Sequence, residues 1–436
     1  MQILNIFNNS EVNMCIGELS ISDKPVDVLE AWGKLNGQYP NLSSVIQLDN
    51  YDRNVLPQCV QKHTKKPDNY LIPYFKSDKL YFIDDEMIKN IFIKGTNVFP
   101  IDHSVMMDSN ICSYIDSLVR GKPLGTVGPK LLPIIDDLLR DGLNFDFLFY
   151  MIENIKHVLP SANFSAKSKL EFWKSLNINF RKNLVSLHYF SSIDSKEYSR
   201  TLRPNFLLSY RQSARRAIDA TFGFYMSSEG KNYLSQFADF QRVVLLSIIG
   251  MLRINLSSNK NGRNKMLEFF DFMHSEVGIY MEREAILAHE YFCDSKSLPI
   301  LKKIQKGGNK KKLLKNLDNI AWDMITPRLM ERLMSSGLGA KTDYFIPIFM
   351  TFDEDLKHML ESFQVKLVIY DKDSGGLLSI PECNSADYFE NAGLKNCTDY
   401  FFSEVKKKER HSRSVHTRES ILPVLFSEYR KLRQAI

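Results

Sequence analysis

Two stretches of this chain end an apolar run on a carboxylate. Residues 105–111 read V-M-M-D-S-N-I: the run stops at Asp108, and two small polar residues, Ser109 and Asn110, follow. Much later, I-F-M-T-F-D-E-D-L closes another apolar run on Thr351 and Asp353, with Asp355 two residues on. Asp, Ser and Asn each offer a side-chain oxygen to the free amides of a first helical turn, so one reading is a helix N-cap. The other is a metal ligand at the carboxyl end of a parallel strand, where open α/β sheets place their sites. If both strands lie in one parallel sheet, the two carboxylates share an edge, and a cation between them offsets their repulsion. The ions suited to carboxylate oxygens are hard ones, Mg²⁺ or Mn²⁺.

Two helical acids are candidates to complete such a cluster. Asp323 in N-I-A-W-D-M interrupts an apolar helical face, and Glu290 in I-L-A-H-E-Y-F lies in a similar setting, with Glu282 and Glu284 as close rivals. A buried, unpaired carboxylate costs several kcal/mol, and a metal removes that cost. The competing reading pairs Asp323 with Arg328 or Lys315 at a surface. His289, beside Glu290, reads first as a structural histidine, with a metal ligand or general base as the alternative. No G-x-S-x-G elbow or H-E-x-x-H helix is present, and K-P-L-G-T-V-G-P-K (122–130) lacks the spacing of a phosphate-binding loop.

The elements that must position these acids are legible as patterns. Y-L-I-P-Y-F (70–75) and K-L-Y-F-I-D (79–84) read as strands joined in a hairpin, and M-I-K-N-I-F-I (87–93) fits helix or strand. Helical periodicity begins directly after D-S-N, in I-C-S-Y-I-D-S-L-V-R-G, and continues to about residue 300. A basic, glycine-bearing loop, K-K-I-Q-K-G-G-N-K-K-K, precedes the Asp323 helix, in which Pro327 predicts a kink or break. The runs 344–353 and 365–371, with a helix between them, predict a parallel crossover. A solvated basic stretch, K-K-K-E-R-H-S-R-S, then leads to a short terminal helix, I-L-P-V-L-F-S-E-Y-R-K-L-R-Q.

Taken in this order, D-S-N after a strand, a mid-chain Glu, the helical Asp of A-W-D and the T-F-D-x-D-L after a later strand resemble the PIN-like nuclease superfamily. The resemblance covers roughly 100–125 and 285–372. It implies a three-layer α/β/α fold with a central parallel sheet, and acids that hold Mg²⁺ or Mn²⁺ to hydrolyse phosphodiester bonds, in RNA more than in DNA. Asp108, Glu290, Asp323 and Asp353 take the acid positions, with Asp355 able to replace Asp353 and Asp318 able to replace Asp323. Ser109, Asn110 and Thr351 support the site. Toxin and phage-defence effectors use this superfamily, so such a role is expected by analogy.

The implied organisation is a small α+β portion over 1–100, the first strand and helix over 101–125, and a helical insertion over 126–284. The rest of the nuclease domain follows over 285–372, then a basic extension over 373–436. Lys306, Lys310, Lys311 and Lys312 are the best-placed phosphate contacts, with R-Q-S-A-R-R and N-K-N-G-R-N-K as further basic candidates. A solvated loop is the alternative for each. The helical insertion could dock a protein partner, and the competing functional class is a helical interaction protein whose aspartates only cap helices.

Composition sets the outer bounds. With 436 residues, 44% hydrophobic and 25% charged, the chain has an ordinary globular balance and can bury a large core in two or three domains. A net charge of +6 permits a nucleic-acid partner without requiring one. Six cysteines without a C-x-x-C pair argue against zinc and against a disulfide framework, and fit reduced thiols. The longest apolar run, V-V-L-L-S-I-I-G-M-L, is half the roughly 20 residues a bilayer span needs, so a cytoplasmic protein with a buried helix is expected.

Overall fold

The computed structural model describes residues 10–48, 50–51, 58, 61–62, 70–94, 101–158, 161–336, 344–372, 376–383 and 385–436. The chain is mixed α/β, mainly helical, and divides into two compact units. The first comprises residues 1–234, 328–352 and 364–382; the second comprises 235–327, 353–363 and 383–436.

Among the described residues, the eight strands all lie in the first unit. Helices α1 (Ser10–Ile21) and α2 (Pro25–Asn36) precede β1 (Leu42–Gln47), β2 (Leu71–Pro73) and β3 (Leu80–Asp84). Next come α3 (Asp85–Lys94), β4 (Ile101–Met107), α4 (Ser109–Val119), α5 (Gly128–Arg140), β5 (Asn144–Asp146) and α6 (Leu148–Glu153). After short helical turns, α7 (Ile178–Phe190) and α8 (Tyr210–Met226) pack on one another, and α4 packs on α7. Late strands β6 (Tyr344–Met350), β7 (Val365–Asp371) and β8 (Leu377–Pro381) return to complete two four-stranded sheets.

One sheet has the order β3-β1-β7-β8 and is antiparallel throughout. The other has the order β2-β6-β4-β5; β4 is parallel to both β5 and β6, while β2 is antiparallel to β6. In place of one central parallel sheet, then, the unit carries an antiparallel sheet and a mixed one. Two local expectations change with it. β2 and β3 are not a hairpin: Leu48 N–H donates to Lys79 O (3.0 Å) and Ser77 N–H to Gln47 Oε1 (3.0 Å), which commits β3 to β1. β6 and β7 are not a crossover pair, because β7 takes a central place beside β1 in the other sheet, where nearly all its residues are buried.

Helix α9 (Ser228–Ser257) runs into the second unit, which contains α10 (Gly262–Phe272), α11 (Glu282–Cys293) and most of α12 (Leu313–Ser336). The unit also contains α13 (Glu354–Ser362), α14 (Ser385–Asn391), α15 (Lys395–Phe401) and α16 (Glu404–Ala435). The apolar run of α9 is buried at every residue from Val244 to Leu252, so its hydrophobic surface is spent inside the unit. Among the described residues no helix is long and apolar enough to cross a membrane. Pro327 does not break α12, which continues to Ser336, and the segment expected after it, S-S-G-L-G-A-K, lies largely outside the described residues. The basic stretch and terminal helix expected after residue 400 are one 32-residue helix, with Pro423 inside it.

Packing in the second unit is close at Gly250, where a Cβ would run into the ring of Phe272. That ring is 4% exposed and has little room to give. Gly250→Ala is therefore expected to lower stability by about 1–3 kcal/mol, read as a fall in denaturant midpoint, despite the higher helix propensity of alanine.

Candidate functional site

The carboxyl end of β4 is where the sequence-derived residues come together in the first unit. β4 and β6 pair in parallel from Ile101↔Tyr344 to Met107↔Met350, and Asp108 N–H continues the ladder to Met350 O (3.2 Å). This register brings Thr351 level with Asp108. The Thr351 hydroxyl donates to Asp108 Oδ2, and both residues are buried. The other carboxylate oxygen, Oδ1, accepts from Ile111 N–H at 2.6 Å, so Asp108 is the N-cap of α4. Ser109 opens that helix, and Asn110 is exposed on its first turn.

A second carboxylate meets the same helix end. Glu153, the last residue of α6, accepts from Ser109 N–H at 3.0 Å through Oε2. The adjacent Asn154 amide donates to Ser109 Oγ (3.0 Å) and to Tyr150 O (2.9 Å). The positive end of a helix dipole and its unfilled amides are what two neighbouring carboxylates need. Cys112, one turn along, registers both charges: burial first, then Asp108 and Glu153, push its thiol well above the usual range. Glu153 was not singled out from the sequence. Its only signal is an acid–amide pair, E-N, interrupting the apolar run F-L-F-Y-M-I-E-N-I.

An aromatic cluster flanks this edge. Thr351 N–H donates to Tyr70 O (3.0 Å), and the Tyr70 ring meets Phe352 edge-on at 4.6 Å. Tyr114 of α4 lies 6.2 Å from Phe352 by ring centroids, and the exposed Lys130 places its ammonium 5.2 Å from the centre of the Tyr70 ring. Periodicity gave no sign of this grouping, because its members come from three separate parts of the chain.

The remaining nominated acids belong to the second unit. Asp353 caps α13, accepting from Asp355 N–H (3.0 Å) and Leu356 N–H (3.1 Å). The Asp355 and Asp323 side chains are half-buried, and Asp318 accepts from the Gln241 amide at 2.8 Å. Of the three glutamates of α11, Glu284 is fully buried and Glu282 accepts from Ser385 N–H at 3.1 Å. Glu290 is half-buried; burial raises its carboxyl above the usual range, and the His358 charge acts the other way. Among the described residues no three His, Cys, Asp or Glu side chains are grouped so that they could hold one metal ion.

Lys306, Lys310, Lys311 and Lys312 are exposed on the loop before α12. Its glycines serve the turn itself. Gly307 adopts φ +80° and its amide donates to Ile436 O (2.9 Å), while Gly308 N–H donates to Gln305 O (2.9 Å).

Two outcomes are expected from these contacts. Thr351→Val removes the hydroxyl from buried Asp108 and should lower stability by about 1–3 kcal/mol, measured by chemical denaturation. Glu290 has its carboxyl raised in the folded state, so its contribution is fullest below the unfolded value and is lost as pH rises through the folded one. Glu290→Gln should therefore match the parent in melting temperature near pH 4 and exceed it at neutral pH.

No family model matches the chain, and neither a curated protein nor a solved structure matches it.

Proposed function

We propose that the chain is a divalent-metal-dependent endonuclease of PIN-like type, cutting RNA more readily than DNA, with its chemical centre at the Asp108 edge of β4. The observation that carries this reading is the pair of carboxylates, Asp108 and Glu153, gathered at one helix N-terminus where a parallel strand ends. Mg²⁺ or Mn²⁺ retains several waters and needs only one or two protein carboxylates besides substrate phosphate, so this pair suits it in donor type and number. Asp353, Asp355, Asp323 and Glu290 are further acids that the resemblance implies, all within the second unit.

Each residue has a physical task in this reading. Thr351 fixes the orientation of the Asp108 carboxylate, and the α4 dipole lowers the cost of holding Glu153 beside it. A bound cation supplies the positive charge that acidifies an attacking water and offsets charge developing on the phosphoryl group. The carboxylates accept the proton that water gives up. Tyr70, Tyr114 and Phe352 offer ring faces for bases, and Lys130 neutralises phosphate beside them. Lys306, Lys310, Lys311 and Lys312 are proposed as phosphate contacts of the second unit. A toxin or phage-defence role in the cytoplasm belongs to the same proposal.

The capping of α4 by Asp108 and of α13 by Asp353 favours a second reading, a helical interaction protein without catalysis. Asp108→Asn separates the two, since Asn caps about as well as Asp but carries no charge. Labelled RNA and DNA are incubated with Mn²⁺ or with EDTA. The expected result is RNA cleavage that EDTA abolishes and Asp108→Asn reduces on the order of 100-fold at unchanged melting temperature. An inactive parent protein leaves the interaction reading standing, and full cleavage by Asp108→Asn removes the Asp108 edge as the chemical centre.

A further inference from the structure

The second unit contains a nucleophile and a base that the nuclease reading does not use. His289 and Cys293 are four residues apart on α11, hence on one face of the helix. His289 Nε2 lies 3.5 Å from Cys293 Sγ, and His289 Nδ1 lies 3.0 Å from the hydroxyl of Tyr388 on α14. The rings of Tyr388 and Phe389 meet the imidazole edge-on, at centroid distances of 5.5 and 5.8 Å. Cys293 is exposed, while His289 is half-buried behind it. A thiol at the surface, an imidazole within hydrogen-bond reach and a third group orienting that imidazole are the parts of an activated nucleophile.

One of the two His289 tautomers prepares the thiol for attack. With Nδ1–H donating to the Tyr388 oxygen, Nε2 carries the lone pair that faces the thiol. Cys293 is the last residue of α11, the negative end of the helix dipole, which does not favour a standing thiolate–imidazolium pair. The 3.5 Å contact gives a proton a direct route from the thiol to the imidazole. Around it, Glu290 and the exposed Cys383 act on the Tyr388 hydroxyl, and His358 acts on Glu290.

We infer that Cys293 is a modification site, a surface thiol whose reaction with hydroperoxides is assisted by His289 as base and Tyr388 as its positioning residue. In that reaction Cys293 Sγ passes its proton to Nε2 and attacks one peroxide oxygen. The O–O bond breaks, a sulfur–oxygen bond forms, and the departing oxygen recovers the proton from the imidazolium. With hydrogen peroxide, one thiol and one peroxide give one sulfenic acid and one water; sulfur is oxidised and the peroxide is reduced.

The test follows loss of the Cys293 thiol by mass spectrometry after timed exposure of the full chain to hydrogen peroxide. Parent protein should lose it about tenfold or more faster than His289→Gln, with Tyr388→Phe between the two. Both variants should keep the parent's melting temperature, so that the loss of rate reads the thiol's reaction and not unfolding. A rate unchanged in His289→Gln overturns the inference. Tyr388→Phe keeps the ring packing, so a rate equal to the parent's in that variant removes the positioning role even if His289→Gln fails to fold.

Discussion

The hydroxyl of Thr351 and the carboxylate of Asp108 are separated by 243 residues of chain, yet one hydrogen bond joins them at the end of two paired strands. Parallel pairing requires a long connection between its strands, and here the β4–β6 connection contains most of the protein's helices. The register of that pairing decides what else can assemble. It levels Thr351 with Asp108, delivers Tyr70 and Phe352 to the same edge through the Thr351 amide, and leaves the first turn of α4 open to Glu153. A slip of one residue would turn every side chain of β6 to the opposite face and dissolve the group.

Electrostatics at this edge rests on a helix end. Like charges side by side repel, and the usual remedy is a cation. Amides of α4 provide part of that remedy already, with Ile111 N–H on Asp108 and Ser109 N–H on Glu153. Capping and chemistry are therefore compatible uses of the same carboxylate: the cap fixes where the oxygen points, and the fixed oxygen is what a ligand or a proton would meet. Asp353 has the same construction at α13, with two amides on one oxygen.

What could be read from the sequence follows the range of the forces involved. Local signals held: the helix after D-S-N, its end near Gly121, the strands 344–350 and 365–371 and the helix between them all appear. Asp108 and Thr351 were legible because a carboxylate or hydroxyl ending an apolar run is conspicuous. Non-local pairing was not legible. Alternation and apolar runs identify β2, β3, β6 and β7 as strands but carry no information on which strands they join, so the expected hairpin and crossover resolve into two sheets. Glu153 escaped for the same reason, since its partner, the Ser109 amide, is a backbone group 44 residues away that any sequence would possess. The pairing of His289 with Cys293 was available as a helical spacing, but only the fold supplies Tyr388.

The placement of β6 and β7 also has a temporal meaning. β1 and β4 are made early, yet each has one neighbour, β7 and β6 respectively, drawn from beyond residue 343. Until ribosomes deliver those segments, both early strands present a bare flank of amides and carbonyls, the kind of surface that recruits stray strands or chaperones. Contacts of such large sequence separation also make for slow maturation. Asp108 acquires its hydroxyl partner only at the close of that process, so a nascent chain holds the acid long before it holds the setting in which the acid is oriented.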